Sequence, residues 1–238
     1  MRNLVRLFKN KVMDKNQSKQ LHLQVKTHQH KRYTTNIILD TGISLNRFEV
    51  HAGVLRPEIM TSLYLAKWLF FNNGIYKGKT VLDMGCGTGL MGIVMGIYGA
   101  KKVTYSDIEP LAIINTESNV KKFNLTSQSS VMTSDLFQNI KGRFDVIVFN
   151  HPFFGDTYKK YSDYEEITNG ILLKKFLIDA MNHLKSKGKI IMPYYHLAGL
   201  KNNPMLQAKK LGYSVETRLD IEAVTGIQKG PISIYEIS

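Results

Sequence analysis

Ten residues constrain this chain more than any others: Val81-Leu82-Asp83-Met84-Gly85-Cys86-Gly87-Thr88-Gly89-Leu90. A short apolar run closes on an acid and then meets glycine at every second position. An apolar segment, Met91 to Tyr98, follows at once. Glycine reaches left-handed backbone angles without steric cost and lets backbone come close to a ligand. The predicted arrangement is a buried strand, a tight glycine turn and a helix N-terminus whose N–H groups face whatever binds there. Cys86 stands inside the turn, where a small side chain is required. As the sole cysteine it excludes an intramolecular disulfide, which agrees with a reducing, cytoplasmic setting.

From Lys79 onward the hydrophobic pattern alternates. Strands are predicted near 79–84, 102–107, 129–134, 144–149 and 188–193, and helices near 89–98, 110–124, 167–186 and 198–211. Such alternation gives an α/β chain with a parallel, Rossmann-like sheet covered by helices on both faces. Two further strand-like runs, Tyr213 to Arg218 and Ile232 to Ile237, predict an antiparallel hairpin at the end, making seven strands. Ligands of such sheets sit beyond the carboxyl ends of the strands, at the switch point beside the first.

The part before Lys79 has a different character. Residues 1–13 predict a short helix burying Leu4, Leu7 and Phe8, Asp14 to Gln20 a polar linker, and Leu21, Leu23 and Val25 a half-buried strand. Tyr33 to Leu39 and Ile43 to Val50 flank Asp40-Thr41-Gly42, which has the chemistry of a hairpin turn. Gly53-Val54-Leu55-Arg56-Pro57-Glu58 leads into a helix of about 15 residues, with proline in its first turn. Residues 1–32 hold nine Lys/Arg against one acid, Asp14, so this stretch carries +8 of the net +13. That bias points to an anionic partner such as RNA, although a solvated basic face or a targeting helix would show the same charge. No apolar run approaches the ~20 residues of a membrane-spanning helix.

Asp-x-Gly-x-Gly-x-Gly in this setting resembles motif I of the class I S-adenosylmethionine (SAM)-dependent methyltransferases. Gly87-Thr88-Gly89-Leu90-Met91-Gly92 also fits the dinucleotide pattern Gly-x-Gly-x-x-Gly. Downstream residues favour the first reading. Phe144-Asp145-Val146-Ile147-Val148-Phe149-Asn150-His151-Pro152-Phe153 resembles motif IV of amino-methyltransferases, Asn-Pro-Pro-Tyr/Phe, with His151 in place of the first proline. Leu55-Arg56-Pro57-Glu58 is similar to the approach to motif I in the glutamine methyltransferases that modify release factors (HemK-like). The resemblance covers residues 51–238 and leaves 1–50 as a basic extension.

It implies SAM as cofactor and a role for each strand end. Asp83, Gly85, Cys86, Gly87 and Gly89 would form the floor, with Asp83 holding a pocket water or the ammonium of the methionine part of SAM, and Asp107, followed by Ile108, would accept the ribose hydroxyls. Asp135 would accept from the adenine amino group, with Leu136 near its face. Asn150, His151, Pro152 and Phe153 would hold the acceptor. A planar amide or exocyclic amine is a poor nucleophile because its lone pair is delocalised. The Asn150 side-chain oxygen and the carbonyl of residue 151 could accept its N–H groups and aim the lone pair, while Phe153 could stack on it. His151 could act through its carbonyl alone or, with its imidazole in the site, as a general base. His28 and His30 lack acidic or cysteine companions, so no metal is expected. Gly155 to Glu166, with three tyrosines and two lysines, could line an acceptor pocket or act as a lid.

The expected activity is methyl transfer to an amino or amide nitrogen in RNA or a translation-related protein. A small-molecule or peptide methyltransferase, a non-catalytic nucleic-acid-binding module and a nicotinamide-dependent dehydrogenase remain as alternatives.

Overall fold

The computed structural model describes residues 30–153, 169–225 and 228–238. The predicted helix over 1–13, linker 14–20 and strand 21–25 lie outside the described residues, as do the basic cluster up to position 29 and the Gly155–Glu166 segment.

An antiparallel hairpin comes first, β1 (Tyr33–Asp40) and β2 (Ile43–Val50), with Gly42 at φ 74° in its turn. Alternation buries Ile37, Leu39, Leu45, Phe48 and Val50 and leaves Thr34, Asn36 and Ile38 exposed. Helix α1 (Met60–Phe71) follows. The main body is then β3 (Thr80–Met84), α2 (Leu90–Ile97), β4 (Lys102–Asp107), α3 (Pro110–Lys122), β5 (Ser129–Thr133) and β6 (Phe144–Phe149). It continues with α4 (Ile171–His183), β7 (Leu184–Tyr195), α5 (Pro204–Lys210), β8 (Val215–Thr225) and β9 (Gln228–Ile237).

The seven strands from β3 onward form one sheet in the order β5-β4-β3-β6-β7-β9-β8. β3 to β7 are parallel, and β9 runs antiparallel to both of its neighbours. The expected fold, including the terminal hairpin, is borne out. Neighbouring residues of one strand face different cores, as a period of two requires. Val81, Val148 and Ile191 join Leu65 and Leu69 of α1, Ile93 and Val94 of α2 and the hairpin residues on one side. Leu82, Ile147 and Ile190 join Phe176 and Leu177 of α4 and Ala208 of α5 on the other. Full burial of each such side chain stabilises by about 1.5–3 kcal/mol.

Three boundaries differ from the sequence reading. The helix expected over 198–211 is two short 3-10 turns followed by α5, because Pro204 can only open a helix and the Asn203 side chain caps it by accepting from Leu206 N at 3.2 Å. The helix expected over 167–186 is shorter, and β7 begins directly after it. The terminal strands run through what reads as a loop between them.

The hairpin is joined to the main body by two asparagines one turn apart on α3. Asn115 Oδ1 accepts from His51 N at 2.8 Å while its Nδ2 donates to Glu49 O at 3.0 Å. Asn119 Oδ1 accepts from Glu49 N at 2.9 Å, and its Nδ2 donates to Glu49 O at 2.8 Å and Thr88 O at 3.0 Å. The two amides stand in for the missing strand beside β2, and the second also reaches the glycine turn. At the Glu49 side chain, Arg32 and Ser118 donate to the carboxylate and hold its pKa down at about 2, against the opposing effect of burial.

Candidate functional site

Gly85, Gly87 and Gly89 all adopt left-handed backbone, at φ 60°, 55° and 81°, and Gly89 opens α2. Around them the turn is pinned from two sides. Cys86 N donates to Ser106 O and Gly87 N to Asp107 Oδ2, both at 2.9 Å, from β4. From α3, Thr116 Oγ1 donates to Gly87 O at 3.0 Å. Cys86 is buried beside Thr116, and burial pushes its thiol pKa well up, so the side chain stays protonated and structural. A Cβ built on Gly87 would meet nothing within 4 Å, so the outer side of the turn is open.

Asp83 lies beneath this turn. Its Oδ2 accepts the Gly92 N–H at 2.8 Å, and burial, opposed by that bond, raises its pKa to about 8. Gly92 is required by the fit of α2 on β4, since a Cβ there would lie 2.1 Å from Tyr105 Cε1. Asp107 ends β4 with one oxygen on Gly87 N and the other on Glu109 N at 3.0 Å. Burial raises its pKa too. A carboxylate oxygen has two lone pairs, so each can still accept a hydroxyl. Ile108, half exposed, follows it. Beyond β5, Asp135 is exposed and Leu136 adopts φ 45°. Ser134 holds that corner by donating to Leu136 O at 2.8 Å and accepting from Asn139 N at 3.0 Å.

β3 and β6 pair with Met84 opposite Phe149, so Gly85 and Asn150 leave adjacent strands side by side. The Asn150 amide nitrogen donates to Ser62 Oγ of α1 at 2.8 Å. Its oxygen Oδ1 is buried and has no partner. A buried acceptor left unpaired costs free energy, which a hydrogen-bond donor bound there would recover.

His151 turns the other way. Its imidazole is buried, with Nε2 donating to Asn202 O at 3.2 Å, while Asn202 Nδ2 donates to Phe153 O at 3.1 Å. This reciprocal clasp fixes the strand exit to the 3-10 turn Leu200–Asn202. Burial pushes the His151 pKa down to about 3, so the ring is neutral at physiological pH. Phe153 is buried between His151 and Tyr194, and Pro152 is half buried. Sequence reasoning missed Ser62, Asn202, Asn115 and Asn119. The spacing of the last two on one helical face is the signal it passed over.

These residues fit the SAM that motif I implies: an open glycine turn, an acid with spare lone pairs at the second strand end, and an orphaned amide oxygen at the fourth. Among the described residues no group of three or more His, Cys, Asp or Glu could hold a metal ion, and no helix is long and apolar enough to cross a membrane.

Comparison with known proteins agrees with the geometry. Residues 61–209 match the methyltransferase small domain. A Methanocaldococcus jannaschii protein provisionally named a protein N5-glutamine methyltransferase is 33% identical over 169 residues, 68% of this chain and 84% of that protein. The ribosomal RNA small subunit methyltransferase C of Pseudoalteromonas translucida is 33% identical over 144 residues, 60% of this chain and 38% of the relative. Among solved structures, a 16S rRNA N2 methyltransferase of T. thermophilus, determined with AdoMet and guanosine, superposes with TM-score 0.62 at 19% identity. That match covers 87% of this chain and 50% of the other. The sheet order, the glycine turn and the extent of the matched region lead to one conclusion: this chain belongs to the methyltransferase small domain family.

Proposed function

We propose that the chain transfers a methyl group from SAM to a planar amino or amide nitrogen, in RNA or in a translation-related protein. The unpartnered Asn150 Oδ1 carries this reading. SAM supplies a methyl activated by its sulfonium. The protein's share is positioning: Asn150 Oδ1 and the His151 carbonyl accept N–H bonds from the acceptor and turn its lone pair toward the methyl. When bound, SAM would supply the methyl and leave as the neutral thioether S-adenosylhomocysteine, and the proton shed by the acceptor nitrogen would pass to solvent water. Such catalysis relies on near-attack geometry more than on a strong base, and a neutral, buried His151 is consistent with that. Asp107 would hold the ribose, Asp135 and Leu136 would hold the adenine, and Asp83 would shape the floor.

Two relatives bear names for protein N5-glutamine and ribosomal RNA methylation, and the T. thermophilus neighbour is named for an N2 site in 16S rRNA. The +8 stretch at residues 1–32 supports RNA or a ribosomal surface as the partner. The test is transfer of labelled methyl from SAM to fractionated cell RNA, protein and metabolites, with the labelled atom identified. Label on nitrogen in RNA or protein supports the reading, and label on oxygen, on carbon or in no fraction overturns it. For the basic arm, affinity for bulk RNA is measured against salt in the full chain and after deletion of 1–32. A shallower slope after deletion supports its role, and an unchanged one removes it.

A further inference from the structure

Asn150 can serve an N–H donor in only one of its two amide orientations. Rotation by half a turn about its last side-chain bond exchanges oxygen for NH2, and that torsion is intrinsically broad and two-fold. The wrong orientation would set donor against donor at the acceptor nitrogen. The structure has the productive one, and its NH2 is held by a group outside motif IV and 88 residues earlier in the chain: the hydroxyl of Ser62, which accepts from Asn150 Nδ2 at 2.8 Å.

We infer that Ser62 is a positioning residue for methyl transfer, holding the Asn150 side chain by its amide NH2 so that the oxygen is left for the acceptor. The inference rests on the N-methylation reading. Ser62 is 7% exposed, so bulk water does not compete for the bond. Helix α1, which carries it, is fastened two residues further on. There Tyr64 OH donates to Val224 O at 3.2 Å and accepts from Val224 N at 3.1 Å. Leu65 and Leu69 of the same helix are fully buried against the sheet. The hydroxyl is thus presented from a rigid element, as a group that orients another must be. Its bond leaves Oδ1 as the only atom of the amide without a partner, and that atom is buried at the end of the strand next to the one that opens the glycine turn.

The test uses the full chain with Ser62→Ala and Ser62→Thr. Alanine is the better helix former, so the first variant keeps α1. Threonine retains the hydroxyl. The Asn150 side-chain NH2 signal is assigned by its loss in Asn150→Ala, and its hydrogen exchange is followed by NMR. Methyl transfer is followed on the RNA or protein fraction that the wild-type chain labels, and SAM affinity by calorimetry. One neutral hydrogen bond corresponds to roughly a tenfold effect. In Ser62→Ala, Asn150 NH2 exchange is therefore expected to speed up about tenfold and kcat to fall about tenfold, with SAM affinity unchanged. Ser62→Thr restores both. Wild-type exchange or wild-type kcat in Ser62→Ala overturns the inference, as does a parallel loss of SAM affinity and thermal stability, which a packing role would give. If the wild-type chain labels no nitrogen, the N-methylation reading fails and takes the catalytic role of Ser62 with it, a result distinguishable because the exchange difference is read without any acceptor.

Discussion

Asp83 Oδ2 lies 2.8 Å from the backbone nitrogen of Gly92, a bond that ties the end of β3 to the first turns of α2. Because burial raises the carboxyl pKa to about 8, the folded state holds a proton there that the unfolded chain releases near pH ~4. The contribution to stability is whole below the unfolded value and is lost as pH rises toward the folded one. Urea unfolding of wild type and Asp83→Asn at several pH values checks this. Wild type is expected to lose stability relative to the variant between about pH 5 and pH 8, since an amide keeps the acceptor for Gly92 and does not titrate.

Gly92→Ala should be among the costliest single-methyl additions in the chain. The new carbon would stand 2.1 Å from the Tyr105 ring, which is fully buried and cannot move aside. Overpacking of this kind costs about 1–3 kcal/mol or more. Gly74→Ala is the control, because a Cβ there meets nothing within 4 Å. Its urea midpoint should stay level or rise slightly.

Asn119→Ala leaves Thr88 O without the bond that side chain supplies and strips Glu49 N of its acceptor. A loss of about 1–3 kcal/mol for each stranded group is expected. Amide exchange locates the damage: Glu49 N–H speeds up, while His51 N–H, held by Asn115, keeps more of its protection.

His151→Pro tests whether position 151 acts through its carbonyl. Methyl transfer is expected to survive within about an order of magnitude, whereas Asn150→Ala should lose roughly a hundredfold, the scale of a misplaced acceptor. In the wild-type chain the His151 ring signals should not titrate between about pH 5 and pH 8, as follows from a pKa near 3.

The centre of the sheet was legible in the sequence because β3 and β6 are short, mostly buried apolar runs bounded by turn residues, as in Phe144 to Phe149. Strand β8 was half hidden for the opposite reason. It is an edge strand, and Glu216, Arg218, Asp220 and Glu222 along it are exposed charges of the kind that blunt an edge but erase the apolar signature. The glycine turn and Asn150 were readable as a motif, since their chemistry demands particular residue types. Ser62 was not. A serine in an apolar helix carries no local sign of the amide it orients, and only the pairing of β3 with β6, under α1, brings them together.

The placing of β9 between β7 and β8 has a kinetic consequence. During synthesis β8 emerges before the strand that must separate it from β7, so it has no partner to dock on and must wait. The β8–β9 ladder closes locally from Thr225 and Gln228, whereas the β7–β9 ladder waits on contacts distant in sequence such as Ile190 with Ile237. Until that moment the β7 edge is open to any extended chain nearby, and the interval is where a chaperone would be needed.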